Sequence, residues 1–271
     1  MIRTILVLLL PALLLACPFM ARGEWTPVLP GLEVGEFPPP ENSPGAGKKT
    51  VVVARVDPSR LSLALHFASS PGQATATVRQ WVRDKGLLVG INASMYLPDG
   101  KKSTGYLASG DQVNNARVNR RFGAFLVFDP AGEGDLPPAR ILDREADDWR
   151  GLMPRYGSVA QNFRMIEADG SIAWKPDRES HSVACVAQDA NGQLLFIHSQ
   201  SAYTVHDFTQ TLLALPLSIS RAMYVEGGFQ ASLVVDAPGF FLEVSGFSRC
   251  PGPNPLPCPA WPVPNVLGVR R

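Results

Sequence analysis

The chain has 271 residues, a formal charge of +1 and 45% hydrophobic residues, enough for one large domain with a substantial core. Charges this balanced give no support to a nucleic-acid partner or to an anionic membrane surface. Cysteines are too few and too scattered for a disulfide-stapled miniature fold, and no Cys/His spacing matches a zinc site, so no metal or cofactor is assigned.

The first 23 residues read as an export signal. Arg3 supplies a positive start, Ile5 to Ala16 form an apolar run broken only by Pro11, and Ala21-Arg22-Gly23 places small residues where a signal peptidase reads. The run is well short of the roughly 20 residues a membrane span needs, which argues against a permanent anchor. A rival reading takes Leu14-Leu15-Ala16-Cys17 as a lipobox with Cys17 acylated, although Leu15 and Pro18 suit it poorly. Cleavage before Glu24 removes two arginines and no acid, which lowers the formal charge from +1 to −1. The product is expected to be periplasmic or secreted, or alternatively a lipoprotein, with no transmembrane segment after processing.

Residues 24–48 are rich in Pro, Gly and polar side chains and suggest an extended surface leader with at most one edge strand. The remaining domain, 49–271, opens with strands at Thr50–Val56 and Leu61–Phe67, expected to pair as a hairpin across Asp57-Pro58-Ser59. Thr75 to Lys85 has helical spacing, with Val78, Trp81 and Val82 on one face and Gly86 as a stop. Leu87 to Asn92 is a short, wholly apolar strand of the kind found at the centre of a sheet. Phe122 to Phe128 forms another strand, and 130–138 a turn-rich insertion.

Hairpins are expected around Ala168-Asp169-Gly170 and around Asp189-Ala190-Asn191-Gly192. A helix runs from Val205, opened by Thr204. Ala222 to Glu226 is a buried strand ending in Gly227-Gly228, and strands at Ala231–Val235 and Phe240–Val244 complete the series. Together these give an α+β class: one domain with a mixed, largely antiparallel sheet, a few packed helices and a Pro-rich C-terminal tail. Cys250 and Cys258 bracket a Pro-rich loop that a disulfide would fix after export, whereas Cys185 sits in an apolar strand as an inert core thiol.

Three strand ends carry polar residues that a core does not require. Asn92, followed by small Ala93 and Ser94, either caps a turn or faces a cleft. Glu226 follows a buried strand, where a carboxylate is costly unless paired, hydrogen-bonded or functional. The glycines after it let backbone N–H groups approach a ligand. His181-Ser182 heads the strand that contains Cys185, where a histidine could meet a phosphate or donate a proton. His206 and Asp207 are adjacent on a helix and point apart, so they form no acid/base pair.

In this order, the three segments resemble motifs of the phosphodiester glycosidase family, which has many exported bacterial members. Ile91-Asn92-Ala93-Ser94-Met95-Tyr96 is similar to that family's Ile-Asn-Gly-Gly-Phe-Phe. His181-Ser182-Val183-Ala184, followed by the Asp189–Gly192 hairpin, is similar to its Arg-Thr-Ala strand start. Tyr224-Val225-Glu226-Gly227-Gly228, with Phe229, Gln230, Ala231 and Ser232, is similar to its Asn-Leu-Asp-Gly-Gly-Gly-Ser. The resemblance spans Thr50 to Val244. It departs from the pattern at Glu226 in place of aspartate, at Ala93-Ser94 in place of paired glycines and at His181 in place of arginine.

The resemblance implies hydrolysis of a glycosyl–phosphate bond in an envelope or extracellular glycan, with Glu226 as acid/base or nucleophile. It also implies that Asn92, Ser94, Gln161, Asn162, His181, Ser182, Gly227, Gly228, Gln230 and Ser232 surround the sugar and phosphate. Asp99, Asp111 and Asp207 are the candidates for a second carboxylate. The departures leave open a catalytically inactive glycan-binding protein of the same fold, or an envelope scaffold.

Overall fold

The computed structural model describes residues 23–43, 50–132, 134–246 and 260–271. The expected signal segment with Cys17 and the expected Cys250–Cys258 bridge lie outside the described residues. The chain begins with strands β1 (Glu24–Leu29), β2 (Leu32–Phe37), β3 (Val51–Val56) and β4 (Ser62–Phe67), helix α1 (Val78–Lys85) and β5 (Val89–Asn92). Then come β6 (Leu107–Ser109), β7 (Gln112–Asn115), β8 (Ala124–Pro130), β9 (Ala139–Asp143) and the single-turn helix α2 (Trp149–Leu152). The second half holds β10 (Tyr156–Arg164), β11 (His181–Asp189), β12 (Leu194–Tyr203), α3 (Val205–Ala214), β13 (Ile219–Gly227), β14 (Ser232–Ala237), β15 (Phe240–Ser245) and β16 (Asn265–Arg270).

Two sheets pack face to face. The larger has the order β1-β2-β3-β12-β11-β13-β10-β6-β7, with β8 beside β10 and β9 beside β8; the smaller has the order β15-β14-β5-β16-β4. Between them lies one core, to which Val52, Ala54, Val186 and Phe196 contribute from one sheet and Leu65, Ile91, Leu233 and Leu267 from the other. The outer face of the smaller sheet is covered by α1, whose Val78, Trp81 and Val82 meet Ala64, Val234 and Val266. The outer face of the larger sheet is covered by α3, whose Phe208 and Leu212 pack on Val53, Val183, Cys185 and Ile197. The result is four layers, helix–sheet–sheet–helix.

This architecture corrects the expected class. Among the described residues every strand pairing is antiparallel, so the sheets are not mixed, and the protein is predominantly β. The continuous apolar runs at β5 and β13 point to buried, central strands, and strands covered on both faces are usual in parallel sheets. Here an antiparallel sheet is covered on both faces, by its partner sheet and by a helix, and the same sequence pattern follows.

Local predictions hold where capping chemistry is strong. Thr77 and Gln80 form a reciprocal capping box on α1, and Gly86 closes it at φ 61°. Thr204 caps α3 through the Asp207 amide. The β11–β12 hairpin turns on Asp189, whose Oδ1 accepts from the amides of Asn191 and Gln193, with Gly192 at φ 82°.

Three expectations fail at long range. β3 and β4 do not pair: β3 lies between β2 and β12, whereas β4 pairs with β16 in the other sheet. The presumed leader forms the β1–β2 hairpin, which extends the sheet from β3 and buries Leu32, Val34 and Phe37. The end of the Pro-rich tail is β16, inserted between β5 and β4 with Val266, Leu267 and Val269 fully buried.

If β16 is a core strand, Leu267→Ala should lower the unfolding free energy by about 2–5 kcal/mol in urea titration. A loss within about 0.5 kcal/mol, typical of a surface change, would show that the tail is not part of the core.

Candidate active site

Glu226 stands at the end of β13 with its residue surface 6% exposed. A bulge puts it there. Ala184 of β11 faces Glu226, but the next residue, Cys185, faces Tyr224, so Val225 is the extra residue. An inserted residue of this kind re-aims the side chains beyond it. One carboxylate oxygen, Oε1, accepts the Gly227 amide at 2.9 Å. Burial is the dominant influence on this group and pushes its pKa up from 4.5 to about 7, against the smaller opposing effect of the Gly227 bond. Burial, and then the nearby Glu226 charge, also raise the phenols of Tyr96 and Tyr224.

The two glycines serve different ends. Gly227 has ordinary extended backbone, but a Cβ there would collide with Tyr224 Oη and stand 2.6 Å from the His181 ring. Its lack of a side chain therefore lets a phenol and an imidazole close over the strand end. Gly228 has φ 67° and starts a 3-10 turn through Gln230.

Buried amides hold this turn in place. Asn92 at the end of β5 donates Nδ2–H to the Gln230 carbonyl (3.0 Å) and accepts the Ser232 amide on Oδ1 (2.8 Å), tying the two sheets together beside Glu226. Asn162 donates to the Ala93 carbonyl at 2.9 Å, while its own Oδ1 is buried with no hydrogen-bond partner among the described residues. His198 is fully buried and donates Nε2–H to the Ala231 carbonyl at 3.1 Å. Burial pushes its pKa down to about 4, so it holds the turn as a neutral ring.

The sequence-predicted site residues divide accordingly. Glu226, Gly227, Gly228, Gln230, Ser232, Asn92 and His181 are brought together at the strand end. Asn162 joins them through the 93–96 segment. Gln161, Ser94 and Ser182 are engaged elsewhere. The Gln161 amide bonds Tyr106 N, Asn119 N, Asn119 O and Phe122 O, which fully occupies it in shaping the 106–122 loop. Ser94 donates its hydroxyl to Ser103 Oγ and its amide to Asn265 Oδ1, and Ser182 donates to the Gln200 carbonyl.

None of the candidate second carboxylates stands with Glu226. Asp99 is a solvated turn residue accepting from the amides of Lys101 and Lys102, Asp111 is exposed, and Asp207 sits at the start of α3, where its Oδ1 meets His206 Nδ1 at 3.2 Å, contrary to the expectation that these neighbours point apart. Among the described residues no cluster of three His, Cys, Asp or Glu side chains has metal-binding geometry.

Sequence reasoning missed the aromatic walls. Gln230 donates to the Tyr96 hydroxyl, and Phe229 meets the half-exposed Trp261 edge-on, ring centroids 4.7 Å apart. On the opposite flank Tyr224 contacts Trp174 at 5.6 Å and His181 at 6.2 Å. Tyr96 and Tyr224 lie inside the quoted motifs and could have been weighed there. Trp174 and Trp261 come from distant loops with no local signal.

The strand end thus combines a buried carboxyl raised by burial, a pair of glycines and aromatic side chains, on a fold of two packed antiparallel sheets. The chain belongs to the phosphodiester glycosidase family, whose sequence profile matches residues 85–270. Its fold is similar to the catalytic domain of zebrafish N-acetylglucosamine-1-phosphodiester alpha-N-acetylglucosaminidase, auto-inhibited by its pro-peptide. That match has a TM-score of 0.59 at 14% identity and covers 89% of this chain and 88% of that one. It is also similar to a hypothetical protein from Synechocystis, with a TM-score of 0.60 at 15% identity over 92% of this chain and 64% of the other. At such identities the structural matches establish the fold alone. No curated protein matches in sequence.

Because the folded carboxyl titrates above its unfolded value, the folded state holds the proton more tightly between pH 4.5 and 7, and stability falls as pH rises through that window. Glu226→Gln removes the cost of the buried charge. Its stability should match wild type at pH 4 and exceed it by up to about 3 kcal/mol at pH 8, read from denaturant titrations at both pH values. Parallel pH profiles for the two proteins would contradict a desolvated carboxyl.

Proposed function

We propose that this protein is an exported hydrolase that cleaves the glycosyl–phosphate bond of a sugar-1-phosphodiester in an envelope or extracellular glycan. The observation that carries this reading is the burial of the Glu226 carboxyl at the end of β13 with one hydrogen bond and no cationic partner among the described residues, which raises its pKa from 4.5 to about 7. The product phosphomonoester has a second pKa near 6, so a carboxylic acid of pKa about 7 is well matched to protonate the departing oxygen. Glu226 gives its proton to the bridging oxygen as the bond from the anomeric carbon to that oxygen breaks. Water adds to the anomeric carbon, and the proton that water sheds returns to Glu226. The products are the free sugar and a phosphomonoester, with no net proton left on the protein.

The residues around Glu226 support the roles given to them. Gln230 and the Tyr96 hydroxyl, which lie near Glu226, are polar groups for sugar hydroxyls, and His181 with the Gly227–Gly228 backbone meets the phosphate. Phe229 and Trp261 offer an apolar face to a sugar ring. Arg3, the Ile5–Ala16 run and Ala21-Arg22-Gly23 support export, with acylation of Cys17 as the alternative route. No helix among the described residues is long and apolar enough to cross a membrane.

A second reading is a glycan-binding protein without turnover. It is favoured by the lack of a second carboxylate among the causes of the Glu226 shift.

Hydrolysis of a panel of sugar-1-phosphodiesters separates the two. Glu226→Gln should lower kcat by about 10²–10⁴-fold. In wild type kcat/KM should decline as pH rises through about 7, because only the protonated acid is active. Binding of the panel with no turnover in wild type would favour the binding protein. A pH profile flat from 5 to 8 would remove Glu226 from the acid role.

A further inference from the structure

A second cleft, of about 360 Å³, opens on the far side of Trp174 from the sequence motifs, and its charge is one-sided. Arg120, Arg121, Arg144, Arg164 and Lys175 line it, against two lining carboxylates, Glu145 and Glu167. Both of those acids already serve Arg164, which also makes two bonds to the buried Asp143, at 2.8 and 3.1 Å. Arg164 is thereby fixed as the neutralised centre of the cleft. Arg120, Arg121, Arg144 and Lys175 make no ion pair among the described residues. Arg144 is held over the cleft by donating to the Arg120 carbonyl.

Five lining cations against two lining carboxylates leave an excess of three, which costs folding free energy through mutual repulsion in a chain whose formal charge is only +1. An anionic ligand relieves that repulsion. Guanidinium groups present paired donors that match the oxygens of a phosphate. Phe163 and Trp174 give the same cleft an apolar wall, ring centroids 5.1 Å apart, suited to the face of a sugar attached to that phosphate. Trp174 also contacts Tyr224, two residues before Glu226, so the cleft adjoins the strand end where the reaction is placed.

We propose that this cleft binds a phosphate group of the substrate other than the one whose glycosidic bond is cut. The substrates would then be glycans that carry successive phosphates, such as phosphodiester-linked chains. The proposal rests on the glycosidase reading for its substrate class, but the anion site can be tested without turnover.

The test is calorimetric titration of the full protein with a sugar bisphosphate and with its uncharged parent sugar. Arg120→Ala/Arg121→Ala/Lys175→Ala removes three exposed side chains and should leave the protein folded, with an unfolding midpoint no lower than that of wild type. It should weaken bisphosphate binding by about tenfold or more while leaving the parent sugar unaffected. Equal bisphosphate affinity in wild type and the triple variant, or no binding by wild type, would overturn the cleft proposal. Absence of turnover with binding intact and sensitive to the triple variant would instead overturn only the glycosidase reading.

Discussion

Burial of the Glu226 carboxyl is the constraint around which the site is organised. A carboxylate taken out of water costs several kcal/mol unless it is compensated. Here the compensation is one backbone bond from Gly227 and retention of the proton, not a cationic partner. Everything near the strand end serves to keep water out and the backbone still. The bulge at Val225 aims the side chain, and Gly227 admits Tyr224 and His181 over it. Asn92 and His198 pin the following turn to one sheet each.

The layering of the fold makes that burial achievable. Glu226 ends a central strand of the larger sheet, and the turn after it leads straight into β14 of the smaller one. The junction between the sheets is therefore also the wall of the pocket. Asn92 is the clearest expression of this: it terminates the middle strand of the smaller sheet and bonds the turn that leaves the larger one. Two flanks with different chemistry result. Tyr96, Phe229 and Trp261 form one that is aromatic and uncharged, and beyond Trp174 lies one that is strongly cationic.

Much of this was legible in the sequence because it is local. The Val78–Trp81–Val82 spacing with its Gly86 stop, the Asp189–Gly192 turn and the apolar strands that end at Asn92 and Glu226 each carry their signal within a few residues. Glu226 itself was visible as a charge out of place. Pairing at a distance was not legible. Nothing in Val51–Val56 says that its neighbour is β12 and not β4, and nothing in a proline-rich tail says that Asn265–Arg270 fills the middle of a sheet. The same limit applies to the site. The motif residues Gln161 and Ser94 look like ligands in sequence, yet they are engaged in shaping loops, whereas Trp174 and Trp261 reach the pocket from segments with no motif at all.

The central claim is that burial raises the Glu226 carboxyl until it titrates near neutrality, and carboxyl titration by isotope-edited infrared or ¹³C NMR spectroscopy measures this directly, with Glu226→Gln identifying the signal. A carboxyl that titrates near 7 in wild type and is missing from the variant is the expected result. A Glu226 signal that titrates near the ordinary 4.5 would mean that the strand end is solvated, and would contradict the account at its foundation.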